Sequence, residues 1–166
     1  MTRHPVSLYI CGKKTMSQSL SKIYVHAVWH IKTTSVTILE ETDEELYAYL
    51  GGCLRGLECL PIIINGVANH VHLLFVLSKS HSIADVIHDV KINSSKWIKT
   101  QSPYYRTFAW QTGYGAFSVS EAAKERVKRY IKNQKEHHRQ KTFEEEYIRI
   151  LQQNHIEYKD EYIFTD

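Results

Sequence analysis

Two short apolar runs, Pro61 to Val67 and His70 to Leu77, flank the turn-forming residues Asn65-Gly66 and Ala68-Asn69, and they constrain the fold more than any other stretch of the chain. Runs of this length bounded by such residues predict strands, and two strands so close in sequence predict an antiparallel hairpin. Upstream, Ser21 to Ile31 alternates at Ile23, Val25, Ala27 and Trp29, the period of a strand. Between them, Leu46, Leu50, Leu54 and Leu57 recur at helical spacing behind Thr42-Asp43-Glu44-Glu45, which reads as a capping box. After the hairpin, Ser82 opens a helix through about Lys99, with Ile83, Val86, Ile87, Val90 and Trp97 as its buried stripe and Pro103 beyond its end. Trp110 to Tyr114 reads as a loop, Ala116 to Val119 as a short strand, Ser118 or Ser120 as the cap of a helix from about Glu121, and Phe143 to Gln153 as a last helix. The order βαββαβ predicts an α+β, ferredoxin-like (RRM-like) antiparallel sheet with helices on one face, followed by C-terminal helices.

A chain of 166 residues, 43% hydrophobic and 23% charged, suits one folded domain. We assign that domain to 21–166 and treat 1–20 as a tail or extension, since Met1 to Thr15 has no periodicity and lacks the pattern of a secretory leader. The longest apolar runs are too short to span a membrane. Three cysteines, Cys11, Cys53 and Cys59, lack the paired spacing of a zinc knuckle, so reduced thiols and a cytoplasmic setting are expected. Net charge is only +3, but between Glu121 and Lys141 eight Lys or Arg face three Glu. Such a run is either a solvated helix face or a track for phosphates.

Two features carry chemistry. In His70-Val71-His72 the residues two apart on a strand share a face, so with Val71, Leu73 and Phe75 turned to the core, two imidazoles converge on the open face of the sheet, where a divalent cation could be held. In Tyr130-Ile131-Lys132-Asn133-Gln134 the first and last residues lie one above the other on a helix and project together, a phenol beside an amide oxygen. Each has a plain alternative: two histidines on a strand without a metal, and Tyr130 as one packing tyrosine among eleven.

Taken with Trp110-Gln111-Thr112-Gly113-Tyr114-Gly115-Ala116-Phe117-Ser118-Val119-Ser120, with His137-His138-Arg139, and with the tail from Phe143 through Glu146-Tyr147 to Ile156-Glu157-Tyr158, these motifs resemble the single-tyrosine HUH transposases of small bacterial insertion sequences, which include the repeat-associated tyrosine transposases. The resemblance runs from Ile23 to the C-terminus. It implies that Tyr130 is the nucleophile and that His70, His72 and Gln134 hold a metal, for which we infer Mg2+ or Mn2+. It also implies cleavage and rejoining of single-stranded DNA through a 5′-phosphotyrosine, hairpin-bearing element ends as substrates, and a homodimer with active sites shared between subunits. Members often carry Asp before the first histidine, where this chain has Asn69. For DNA contacts the candidates are Trp110 and Tyr114, as stacking rings, and Lys124, Lys128, Lys132 and Arg139; Phe117 is expected in the core. Two other readings share these motifs: a domesticated repeat-associated tyrosine nuclease, and a nonenzymatic nucleic-acid-binding module of the same fold, for which Tyr130 and metal would be dispensable.

Overall fold

The computed structural model describes residues 19–139 and 141–166. Its elements run β1 (Tyr24–His30), α1 (Glu40–Gly56), β2 (Leu60–Val67), β3 (His70–Val76), α2 (Ile83–Gln101), β4 (Gly115–Val119), α3 (Lys124–Lys132), α4 (Gln134–His137), α5 (Phe143–Gln153) and α6 (Asp160–Ile163). All strand pairs are antiparallel and the sheet order is β2-β3-β1-β4, the ferredoxin-like arrangement expected from the βαββαβ order. Cys11 and nearly all of the expected tail fall outside the described residues.

Alternation divides the sheet into two unlike faces. Val25, Ala27 and Trp29 of β1 and Val71, Leu73 and Phe75 of β3 pack beneath Leu46, Leu50 and Leu54 of α1 and Val86, Ile87, Val90 and Ile98 of α2, all buried. Truncating any one of these leucines to Ala removes about 2–5 kcal/mol of packing and transfer energy. The opposite face carries His26, Val28 and His30 paired with Phe117, His72 and His70, and Asn65 of β2 lies beside His72.

That second face is not open, as the hairpin alone had suggested. Ile131 of α3 packs on Tyr24 and Leu74, while Phe143, Tyr147, Ile150 and Leu151 of α5 pack on Val28 and Phe117. The physical reason lies in both partners: α5 carries an apolar stripe that must leave water, and the sheet face offers apolar Val28 and Leu74 between its histidines. His70 and His72 are consequently 0% exposed.

Local signals act at several ends. Ser82 caps α2 by accepting from the Asp85 N–H, and Thr142 with Glu145 forms a full capping box at α5. The box expected at Thr42 does not form. Helix α1 begins earlier, at Glu40, because the Ile38 N–H pairs with the Ala68 carbonyl at 2.8 Å and the Leu39 N–H donates to the Tyr105 hydroxyl at 3.0 Å, which fixes the entry of the chain ahead of Thr42. Gly66 belongs to β2 rather than to the turn, which is Ala68-Asn69; a Cβ there would lie 2.2 Å from the His70 carbonyl, so only glycine permits this approach to β3.

Candidate metal and tyrosine site

Six of the ten histidines gather on the second face: His26, His30, His70 and His72 from the sheet, and His137 and His138 from α4 and its end. Burial lowers the pKa of His26 to about 3, with the neighbouring His72 adding to the effect, and lowers His72 in the same direction. These rings are therefore neutral near pH 7, the form that ligates metals. Asn69 Oδ1 lies 2.7 Å from His70 Nδ1 and is placed to accept its hydrogen, which turns Nε2 inward. The amide carbonyl thus supplies the acceptor that an aspartate would offer at this position. His72 Nδ1 lies 2.9 Å from His26 Nε2, and His72 Nε2 is buried with no hydrogen-bond partner. A buried ring nitrogen left unpaired among neutral imidazoles is what a coordinating cation would satisfy.

The tyrosine arrives from α3, which ends one residue before Asn133, so Tyr130 and Gln134 do not share one unbroken helix as their spacing had suggested. What holds the end of α3 is Asn65, whose amide donates to the carbonyls of Ile131 at 2.9 Å and Lys132 at 3.1 Å, in the last turn where helical partners run out. Lys135 of α4 pairs with the buried carboxylate of Asp43 at 2.7 Å and ties the next segment to α1. Asn65→Ala is expected to destabilise the fold by about 1–2 kcal/mol and to speed amide exchange in α3 more than in α1. Thermal melting and hydrogen exchange check this; unchanged protection of α3 would remove Asn65 from its positioning role.

Despite the break, Tyr130 and Gln134 meet at one group, Glu146 of α5. The Tyr130 hydroxyl donates to Glu146 Oε1, to which the Gln134 amide also donates at 2.8 Å. His138 Nε2 lies 2.6 Å from Oε2. Oε2 also faces His70 Nε2 at 3.3 Å and His72 Nε2 at 3.5 Å, and Gln134 Oε1 stands 3.4 Å from His70 Nε2. Glu146 is 2% exposed; burial pushes its carboxyl up, but the contacts with His70 and His72 outweigh that and hold it at about 2, so it is ionised. One ligand atom from each of His70, His72 and Glu146 lies within 4.8 Å of the others, a buried group that could bind a metal.

Glu146 is the member of this group that motif reading did not single out. Its signal was present: within Glu144-Glu145-Glu146 only the last falls on the stripe of Phe143, Tyr147 and Ile150, and a charge on a buried stripe calls for a partner.

The other candidates are dispersed. Trp110 is not a surface ring: it is 6% exposed, packs edge-on against Trp29 and Phe108, and donates its Nε1–H to Ser94 Oγ at 3.0 Å, because the bridge between Ile31 and Trp110 draws the loop into the first core. Tyr114 is 39% exposed beyond a loop organised by the Lys91 ammonium, which donates to the carbonyls of Gln111, Thr112 and Gly113. Phe117 is buried. Lys124 pairs with Glu121 at 3.0 Å and Arg139 with Glu136 at 3.0 Å, while Lys128 and Lys132 are exposed on α3. No helix among the described residues is long and apolar enough to cross a membrane. Cys53 and Cys59 are free thiols.

The fold has counterparts among solved structures. A candidate transposase from Deinococcus radiodurans R1 superposes with a TM-score of 0.55 at 21% identity, over 73% of this chain and 97% of that one, a likeness of fold. A REP-associated tyrosine transposase bound to a REP hairpin gives a TM-score of 0.49 at 10% identity, over 72% and 70% of the two chains. Among curated proteins none matches the chain. The family model described as "Transposase IS200 like" matches residues 19–134, which includes all four strands, the paired histidines and the tyrosine helix. The chain belongs to the IS200-like transposase family.

Proposed function

We propose that the chain cuts and rejoins single-stranded DNA by attack of Tyr130 on a phosphodiester, the chemistry that moves an insertion sequence. The observation that carries this reading is the contact between the Tyr130 hydroxyl and a buried, ionised Glu146 whose other oxygen faces His70 and His72. A free phenol has a pKa of about 10, so only about one part in a thousand is phenolate near neutrality, and attack requires help with the proton. Glu146 Oε1 already accepts from that hydroxyl and is placed to take the proton as the oxygen–phosphorus bond forms. Its two oxygens have different neighbours: Oε1 accepts from Tyr130 and Gln134, and Oε2 faces His70, His72 and His138.

His70, His72 and Glu146, with the Gln134 amide oxygen as a further donor, would hold Mg2+ or Mn2+, which supplies charge neutralisation at the non-bridging phosphate oxygens. In the transfer the Tyr130 oxygen bonds to phosphorus and gives its proton to Glu146, the bond from phosphorus to the 3′ oxygen breaks, and the 3′ oxygen takes up a proton from solvent to leave as a hydroxyl. A 5′-phosphotyrosine remains. Because one ester replaces another, attack by a different 3′-hydroxyl reverses the step and joins strands without a nucleotide cofactor.

Lys128, Lys132, Arg139 and Tyr114 complete the proposed contacts to DNA, whose hairpin-bearing ends and dimeric enzyme follow from the resemblance. Within one chain Tyr130, His70, His72, Gln134 and Glu146 come together, and the sharing of sites between subunits stays an implication of the resemblance.

The test is a denaturing gel of the protein incubated with labelled single-stranded DNA carrying element-end hairpins, with Mn2+, Mg2+ or EDTA. A covalent adduct that needs the metal is expected, and Mn2+ should support it at lower concentration than Mg2+, since imidazole ligands favour the transition metal. DNA binding that is indifferent to EDTA and gives no adduct would instead describe a binding module.

A further inference from the structure

Access to Tyr130 is the question that burial of the metal-ligating cluster raises. His70, His72 and Gln134 are 0% exposed, so no strand can reach them across the sheet. A cleft of about 830 Å3 does reach the tyrosine: it is floored by the end of β4 and Ser120 after it, walled by α3 and α5, and has Tyr130, His26 and Glu146 among its lining residues. A volume of this size falls within the roughly 300–1,000 Å3 range of built ligand sites.

The walls of this cleft have a pattern. On α3, Arg126 precedes Tyr130 by four residues and so stands over it on the same face; on α5, Arg149 follows Glu146 by three and does likewise. Both guanidiniums line the cleft, both are exposed, and among the described residues neither has a carboxylate at ion-pair distance. By contrast Lys124, Lys135 and Arg139 are each held by an acidic neighbour. Two unpaired arginines, each about one helical turn from a reactive group, offer planar forks to phosphate oxygens. Past them the lining ends in Ser120, Gln153 and Asn154, which can donate to and accept from a sugar or base edge.

We propose that this cleft is the channel through which the DNA strand reaches Tyr130, with Arg126 and Arg149 gripping the phosphates that flank the scissile one from opposite walls. The inference rests on the tyrosine-nuclease reading and adds to it the path of the strand and two positioning residues. Arg149, Gln153 and Asn154 lie beyond residues 19–134, so one wall of the channel comes from chain outside the family match.

The test measures binding apart from chemistry. Proteins carrying Tyr130→Phe, alone or with Arg126→Gln, Arg149→Gln or both, are titrated with a short fluorescent single-stranded DNA at several salt concentrations, and each is also melted to verify the fold. Each arginine removed is expected to weaken binding about tenfold and to reduce the slope of log affinity against log salt by about 0.7, with little change in melting temperature. Arg55→Gln, at the end of α1 on the other side of the sheet, should leave both values unchanged. In the Tyr130-intact proteins the arginine variants should form adduct only at raised DNA concentration. If the Tyr130→Phe parent binds DNA and the wild-type protein forms adduct, but the arginine variants match the parent in affinity and slope, the channel lies elsewhere and the nuclease reading survives. If the Tyr130→Phe parent does not bind DNA and the wild-type protein forms no adduct, both fail.

Discussion

Tyr130→Phe is expected to abolish the covalent protein–DNA adduct and strand cleavage, a loss on the order of 10⁴-fold or more, because no neighbouring group can replace the lost nucleophile in that position. The fold should change little. The substitution removes one oxygen, and Glu146 keeps the Gln134 amide at 2.8 Å and His138 at 2.6 Å as partners, so the cost is about 1–2 kcal/mol. Metal binding and single-strand binding should persist, since the ring and the ligand cluster stay. The combination separates a nucleophile from a packing residue, which would lower stability without a selective effect on the adduct. Intact-mass analysis and a denaturing gel read the adduct, and calorimetry with Mn2+ reads the ligand site. Cleavage by the phenylalanine variant at even a hundredth of the wild-type rate would sink the assignment of Tyr130.

How much of this arrangement can be read from the chain follows from the range of each interaction. The period of two in β1 and β3 is a local property, so the pairing of His70 and His72 on one face was legible, as was the apolar face opposite. His26 and His30 occupy the same strand period as Val28, yet an alternation scored on Ile23, Val25, Ala27 and Trp29 leaves that second register unread. The cover over the histidines was harder, because it depends on α5 docking more than seventy residues away in the chain. The stripe of α5 required some apolar surface, but nothing local said which. Tyr130 and Gln134 converge even though the helix between them breaks, and they do so because Glu146 approaches from a third element. Pair spacing brought these two side chains together on paper through an incomplete mechanism. Trp110 went the other way: in a loop with two nearby glycines its ring could face water or core, and a single bridge to Ile31 decided for core.

The imidazole cluster also makes an acid-labile fold. His26 is held at about 3 and His138 at about 4, in both cases mainly by burial, against an ordinary value of 6.5. Both are therefore neutral in the folded protein where the unfolded chain would bind protons, and stability rises with pH wherever the unfolded state binds more. The stabilising contribution is full above about pH 6.5 and is lost as pH falls toward their folded values; Glu146, lowered from 4.5 to about 2, continues the same trend in a lower window. Two such histidines give a slope near 3 kcal/mol per pH unit by pH 5 and a loss of about 5 kcal/mol between pH 6.5 and 4.5, comparable with the whole stability of many domains. Urea unfolding of the metal-free protein should accordingly show a midpoint nearly constant above pH 7 and falling steeply below 6.5, with the native state largely gone near pH 4.5. His26→Asn, which leaves an uncharged polar side chain beside His72, should flatten the upper part of that fall. A midpoint that holds level down to pH 5 would mean that the histidines take up protons while folded, and the neutral, ligand-ready state assigned to them would have to be abandoned.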